Sequence, residues 1–321
     1  NLEIGITTDI EATIKEEGEI VVSAKLFLDI VRRLPEEIVF IETDERMVTY
    51  IACGKVNYQI VGMSSVEYPD LPSFEQTDRI TLNAKILRDM IRQTVYAVSE
   101  NTAKPIYTGS LYEIEDGVFK IIAIDGYRMA IRSENVDSES KNRFVVPGKT
   151  QHEVLKLLTD DEENTEIIIG QRHITFKIKN YRIISRLIEG TFIEYKSAIP
   201  KETKTEVVIN TRTIIDAVER MSLLNNDRIQ SPVRCIFSDD EIKLSCTSAV
   251  GRANDVISVP IIGESVEIGF NNRYLLDALK NADTDEIKLI LNGSLTAMIV
   301  KPVKGDSYLS IVVPMRLANE N

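Results

Sequence analysis

Asn83–Ile91, NAKILRDMI, is the stretch that decides the fold. Its first residue suits a helix N-cap, because the asparagine side-chain oxygen can accept a bond from a first-turn N–H that has no partner inside the helix. The same nine positions recur without gaps at Ser23–Val31 (SAKLFLDIV), Pro147–Leu155 (PGKTQHEVL), Asn210–Val218 (NTRTIIDAV) and Asn271–Leu279 (NNRYLLDAL). The starts lie 60 to 64 residues apart, and a fixed period of this size marks a chain built from repeats. Ser23, Asn210 and Asn271 are caps of the same kind, and Pro147 with Gly148 is the departure.

With each first residue counted as zero, apolar side chains fall at +4, +7, +8 and +11: Phe27, Ile30, Val31 and Leu34 in the first copy, Ile214, Ala217, Val218 and Met221 in the fourth. At about 100° per residue these form one stripe, the core face of a helix. A short apolar run precedes each copy: Ile20–Val22, Ile80–Leu82, Phe144–Val146, Val207–Ile209 and Ile268–Phe270. Paired strand patterns follow: Glu37–Glu42 with Met47–Ala52, Leu111–Glu115 with Phe119–Ile124, Glu166–Ile169 with Ile174–Ile178, and Cys235–Phe237 with Ile242–Cys246. The last, Glu286–Leu291 with Leu295–Val300, reads as a hairpin across Asn292-Gly293.

The unit is thus one helix plus about four strands, an α+β arrangement in which two unlike halves of about 62 residues make one domain. Joints at Pro69–Pro72 and Lys196–Lys204 divide the chain into domains 1–72, 73–198 and 199–321. The Thr8-Asp9 turn resembles Ile124-Asp125, which sits late in its own half. On the repeat period, about 40 residues of the first domain are expected to be missing ahead of Asn1.

The sequence carries 38 basic and 50 acidic residues among 321, a net charge of −12. Taken as one number, that argues against nucleic acid. Cys53, Cys235 and Cys246 are far apart and have no histidine partner, so no disulfide framework, zinc module or other metal site is expected, and a reducing cytoplasm fits. No signal peptide or membrane span is expected. His152 and His173, the two histidines, have no nucleophile beside them. Gly148-Lys149-Thr150 resembles the end of a phosphate-binding loop, but Arg143 stands where that loop needs glycine. Catalytic chemistry is thus poorly provided for, and no cofactor is expected.

The repeat distributes the charge. Position +2 is basic in all five copies (Lys25, Lys85, Lys149, Arg212, Arg273), and +9 in four (Arg32, Arg92, Lys156, Lys280), with Glu219 the exception. Residues seven apart stand nearly above one another, so each helix turns a basic ridge away from its apolar stripe. The five twelve-residue windows sum to +6, leaving −18 on the other 261 residues. The ordinary reading is a solvated face, since +6 is Asp or Glu in every copy and +2 to +6 is an i, i+4 pair. Five aligned ridges favour a basic tract that meets phosphates without reading bases.

Asp125–Ala130 (DGYRMA), Val66–Leu71 (VEYPDL), Ile268–Asp277 (IGFNNRYLLD) and Val312–Leu317 (VVPMRL), in that order, resemble the bacterial sliding clamp family, the beta subunit of DNA polymerase III. The resemblance implies three tandem clamp domains per chain, with sheets outside and helices lining a ring that two chains close head to tail around double-stranded DNA. It implies a tether for the replicative polymerase, with the clamp loader and other clamp-binding-motif proteins as further partners, and no catalysis. Lys25, Arg32, Lys85, Arg88, Arg92, Lys149, Lys156, Arg212, Arg273 and Lys280 are then DNA-facing candidates. The family's groove for a short peptide with apolar and aromatic anchors maps to Tyr107, Ile124, Gly126, Tyr127, Arg128, Met129, Ile193, Ser197, Ala198, Ala297, Ile311, Val312, Val313 and Met315. Its dimer interface maps to Tyr58 on one side and to Leu223 and Leu224 on the other, burial inside one chain being the competing reading. The alternative to a clamp is an acidic, repeat-built interaction scaffold that does not encircle DNA.

Overall fold

The computed structural model describes residues 3–69, 78–159, 163–225 and 231–317. The order begins with β1 (Ile4–Thr8), α1 (Ala24–Val31), β2 (Val39–Thr43), β3 (Val48–Cys53) and β4 (Val56–Val61). It continues through β5 (Asp78–Asn83), α2 (Ala84–Val95), β6 (Gly109–Glu115), β7 (Val118–Ile124), β8 (Arg128–Asn135), β9 (Asn142–Pro147), α3 (Gly148–Leu157), β10 (Asn164–Ile169), β11 (His173–Ile178) and β12 (Tyr181–Arg186). The last third holds β13 (Thr205–Asn210), α4 (Thr211–Ser222), β14 (Val233–Ser238), β15 (Glu241–Ser248), β16 (Gly251–Ser258), β17 (Ile261–Gly263), β18 (Val266–Phe270), α5 (Asn272–Lys280), β19 (Glu286–Leu291), β20 (Met298–Pro302) and β21 (Tyr308–Val312). All five repeated segments are helices.

The caps form as their chemistry demands. Asn83 accepts from the amides of Lys85 and Ile86, Asn210 from Thr213, and Asn271 from Arg273 and Tyr274, while Pro147 caps nothing with its side chain. Asp116-Gly117 and Asp239-Asp240 both take positive φ at both residues, the conformation that a two-residue hairpin matched to strand twist requires. They close β6 on β7 and β14 on β15. Two expectations are corrected. Asn292-Gly293 closes no tight hairpin: β20 begins only at Met298 and Ile290 faces Ile299, so the connection is longer, with Gly293 at φ +99. Ile20–Val22 forms a single bridge, Val21 to Met63, and not a strand.

Residues 9–69 form one compact unit; residues 3–8 join 78–317 in the other. In the smaller unit, β2-β3-β4 make an antiparallel sheet whose Ile51 and Ile60 pack with Ile30 of α1, backed by Phe27 and Leu34. Val31, expected in the stripe, is exposed. The larger unit has sheets ordered β1-β12-β11-β10-β5, β16-β15-β14-β18 and β17-β13-β19-β20-β21-β8-β7-β6-β9. The pairing of β1 with β12 takes a strand that the sequence assigns to the first domain into the second domain's sheet. Helix α2 packs on α3, and α4 on α5. Ile214, Ala217, Val218 and Met221 are all buried in the core beneath α4, as their spacing predicts.

Candidate functional site

The nine-stranded sheet runs unbroken from second-domain to third-domain sequence because β8 pairs with β21, Met129 opposite Ile311 and Arg128 opposite Val312. Side chains alternate across a strand, so this junction has two faces. On one, Met129, Ile131 and Ile311 join Leu111, Ile122, Val145 and Ile299 in a single apolar cluster. The segment after β12 supplies Phe192 and Tyr195 to this cluster, and Tyr107, Ile124 and Ala297 pack at its edge. Tyr107 meets Phe192 edge to face, ring centroids 5.7 Å apart.

The structure thus brings Tyr107, Ile124, Met129, Ala297 and Ile311 together in one apolar cluster and at its edge. The solvent-facing members are Tyr127, Ile193, Ser197, Ala198 and Val313, with Met315 half-buried. Ser197 donates to the carbonyl of Glu194 inside a short 3-10 turn, Tyr195–Ala198. Gly126 sits at φ +94 in open space, a conformation that favours glycine, and it lets the chain turn before Tyr127. The Val313 amide donates to the Tyr127 carbonyl at 2.9 Å, and the Met315 amide to the Gly269 carbonyl at 2.8 Å, so both residues are fixed by backbone.

Arg128 and Val312 lie on the other face. Val312 is fully buried in the third-domain core. The Arg128 side chain, 6% exposed, donates through Nε to Asp125 Oδ2 at 2.9 Å and through Nη1 to Asp277 Oδ2. Its guanidinium lies 4.5 Å from the Tyr274 ring centroid and 5.4 Å from that of Tyr96, cation–π distances. Tyr274 also stacks on Tyr127, centroids 5.8 Å apart and planes 20° from parallel. Tyr274 stands in the IGFNNRYLLD motif but is none of the groove positions that the resemblance implies. Burial, with Asp125 nearby, raises the Tyr274 hydroxyl above its ordinary value. Beneath the junction Tyr96 Oη lies 3.0 Å from Tyr308 Oη and 2.9 Å from Ser310 Oγ. Burial pushes Tyr96 up to about 12 and Tyr308 well above the usual range, so both remain neutral hydrogen-bonding groups at neutral pH.

The basic ridge is unevenly free. Lys25, Arg32, Lys85 and Lys149 form no ion pair among the described residues. Arg92 reaches Asp283 at 2.5 Å, Lys156 reaches Glu153 at 2.8 Å, Arg212 reaches Asp216 at 2.8 Å and Arg273 reaches Glu100 at 3.5 Å. Arg88 lies 3.6 Å from Asp89. Lys280 meets Glu219, the one acidic residue at +9, at 2.7 Å, and that hydrogen bond lowers the Glu219 carboxyl below its usual value. Tyr58 on β4 is 37% exposed and Leu223 83%, while Leu224 is partly buried against the third-domain core. His152 is exposed, and burial lowers His173. Among the described residues no acidic, cysteine and histidine side chains cluster as a metal site, and no helix is long and apolar enough to cross a membrane.

The sequence signatures of the DNA polymerase III beta subunit match throughout: the N-terminal domain at residues 1–72, the central domain at 81–194 and the C-terminal domain at 196–316. The first match shows that N-terminal-domain sequence is present, and it gives no support to the expected absence of about 40 residues. The beta sliding clamp of Halalkalibacterium halodurans is 34% identical, over 98% of this chain and 84% of its own length. The crystal structure of the Bacillus subtilis DNA polymerase sliding clamp superposes with a TM-score of 0.95 at 32% identity, covering 99% of this chain and 87% of that one. A DNA polymerase III beta subunit structure from Eubacterium rectale gives 0.95 at 32%, covering 98% and 86%. The chain therefore belongs to the family of the DNA polymerase III beta subunit, the beta sliding clamp.

Proposed function

We propose that this chain, with domains 1–72, 73–198 and 199–321, closes a head-to-tail ring with a second copy. The ring encircles duplex DNA and tethers the replicative polymerase, and it exchanges that partner for the clamp loader and other proteins carrying a similar peptide. It performs no chemistry of its own, and it works in the cytoplasm on nucleoid DNA.

The observation that carries this reading is the way the domain sequences join. Strands from different domain sequences pair antiparallel within the chain, β1 with β12 and β8 with β21. Among the described residues β4 and β16 are two of the strands that end their sheets, as β2, β5, β9 and β17 also do, and the candidate interface residues lie at or near these two. An unpaired edge is a template for another chain, and pairing β4 of one copy with β16 of the next repeats the internal junction. Tyr58 lies on the first edge, and Leu223 closely follows α4, which packs on β16. Their exposure supports an interface role over burial within the chain. Sedimentation should give a particle of twice the 36.2 kDa chain mass, reduced to one chain by Leu223→Asp. A wild-type monomer at micromolar concentration would contradict the ring.

A further inference from the structure

We infer that Asp277, a residue of α5, positions the peptide site, acting through Arg128 on the turn that carries Tyr127. The inference rests on the peptide-groove reading and deepens it. The motivating observation is a break in the repeat. The acid at +6 pairs with a cation of its own helix, or of the turn directly after it, in the other copies: Asp29 with Arg33 at 3.7 Å, Asp89 with Arg92 at 3.6 Å, Glu153 with Lys156 at 2.8 Å and Asp216 with Arg212 at 2.8 Å. Asp277, the fifth, instead accepts from Arg128 of the neighbouring domain sequence, and Arg273 on its own helix turns to Glu100.

A chain of polar contacts runs from there to the proposed peptide surface. Asp277 holds one end of the Arg128 guanidinium and Asp125 Oδ2 the other. Asp125 Oδ1 then accepts the amides of Tyr127 at 2.9 Å and Arg128 at 3.0 Å, which fixes the turn. Tyr127 places its ring on Tyr274, and its carbonyl anchors Val313. Because the Arg128 side chain is almost wholly buried, water cannot replace a lost partner without cost. An arginine held by two carboxylates has a fixed plane, whereas one held only by Asp125 can pivot and carry that carboxylate with it. Asp277 is outside the apolar cluster, and its side chain connects to the turn through Arg128.

The test is fluorescence anisotropy with a fluorescein-labelled pentapeptide carrying leucine and phenylalanine anchors. It is titrated into the full chain and into Asp277→Asn, Asp277→Glu, Tyr127→Ala and the Tyr127→Ala/Asp277→Asn double variant. Asp277→Asn should weaken binding about tenfold, the size expected of residues coupled in one hydrogen-bond network. Asp277→Glu, which keeps the charge, should recover most of that loss. In the Tyr127→Ala background the Asp277→Asn effect should shrink to less than about twofold, because the ring it positions is gone. A general loss of structure would instead produce the same factor in both backgrounds, and that result overturns the inference. Wild-type affinity in Asp277→Asn overturns it while leaving the groove intact. A wild-type chain that does not bind the peptide overturns both readings.

Discussion

Replacing Tyr127 and Met315 together by alanine should weaken binding of a peptide with leucine and phenylalanine anchors by about a hundredfold or more, with the fold intact. Tyr127 is 61% exposed, and it stacks on Tyr274 at 5.8 Å, so it presents an aromatic face fixed in the chain by itself. Pre-fixed aromatic surface binds at low entropic cost. Met315 is half-buried and held in place by its backbone bond to Gly269, and its flexible thioether can fit apolar side chains of several shapes. Interface residues of this kind typically cost about 2 kcal/mol or more each on truncation, and neighbours do not add fully. Neither residue belongs to the buried core clusters, so thermal unfolding should move little. Met129→Ala would be a poor substitute as a test. Its side chain is 3% exposed, and emptying that site should destabilise the protein by about 2 to 5 kcal/mol. Unchanged affinity in the Tyr127/Met315 variant would move the partner site elsewhere.

Removing Lys85 and Lys149 should flatten the salt dependence of duplex binding, and Glu219→Gln should steepen it. The ridge read from the sequence treats its members as equal, but the structure does not. Lys85 and Lys149 are exposed and form no ion pair among the described residues, whereas Lys280 is tied to Glu219 at 2.7 Å. Each phosphate contact contributes about 0.9 to the slope of log affinity against log salt. Lys85→Ala with Lys149→Ala should therefore lower the slope by nearly two, with weaker binding at every salt concentration below about 200 mM. Glu219→Gln removes a negative charge and frees Lys280, so the slope should rise by about one. Anisotropy of a labelled duplex across a salt series measures both. If neither slope changes, the helical ridges do not meet DNA.

The repeat was legible because one helix pattern had to satisfy the same local physics five times. Caps and apolar stripes depend on neighbours within a few residues, and Asn83, Asn210 and Asn271 cap as their chemistry requires. The β19–β20 connection differs from the tight hairpin expected because an Asn-Gly pair suits many turns, and only the cross-strand register, Ile290 opposite Ile299, determines which forms. The candidate site was legible in part. Met129 and Ile311 share a face because strand alternation puts them there, and the same alternation turns Arg128 and Val312 to the helices. Which of two adjacent residues faces the apolar cluster depends on how β8 meets β21, a contact between residues roughly 180 positions apart that no local pattern encodes. The pairing of Lys280 with Glu219 was invisible for the same reason, since it joins α4 to α5.

The most direct measurement of the central claim is retention on DNA of defined topology. The chain is loaded by a cognate clamp loader onto a nicked circular duplex, isolated by gel filtration, and the circle is then cut once. The ring reading predicts that the protein travels with the circle in high salt, where phosphate contacts are weak, and is lost on linearisation. Protein that leaves the intact circle in high salt, or stays on the linear product, would contradict encirclement and favour a scaffold that holds DNA by surface contact alone.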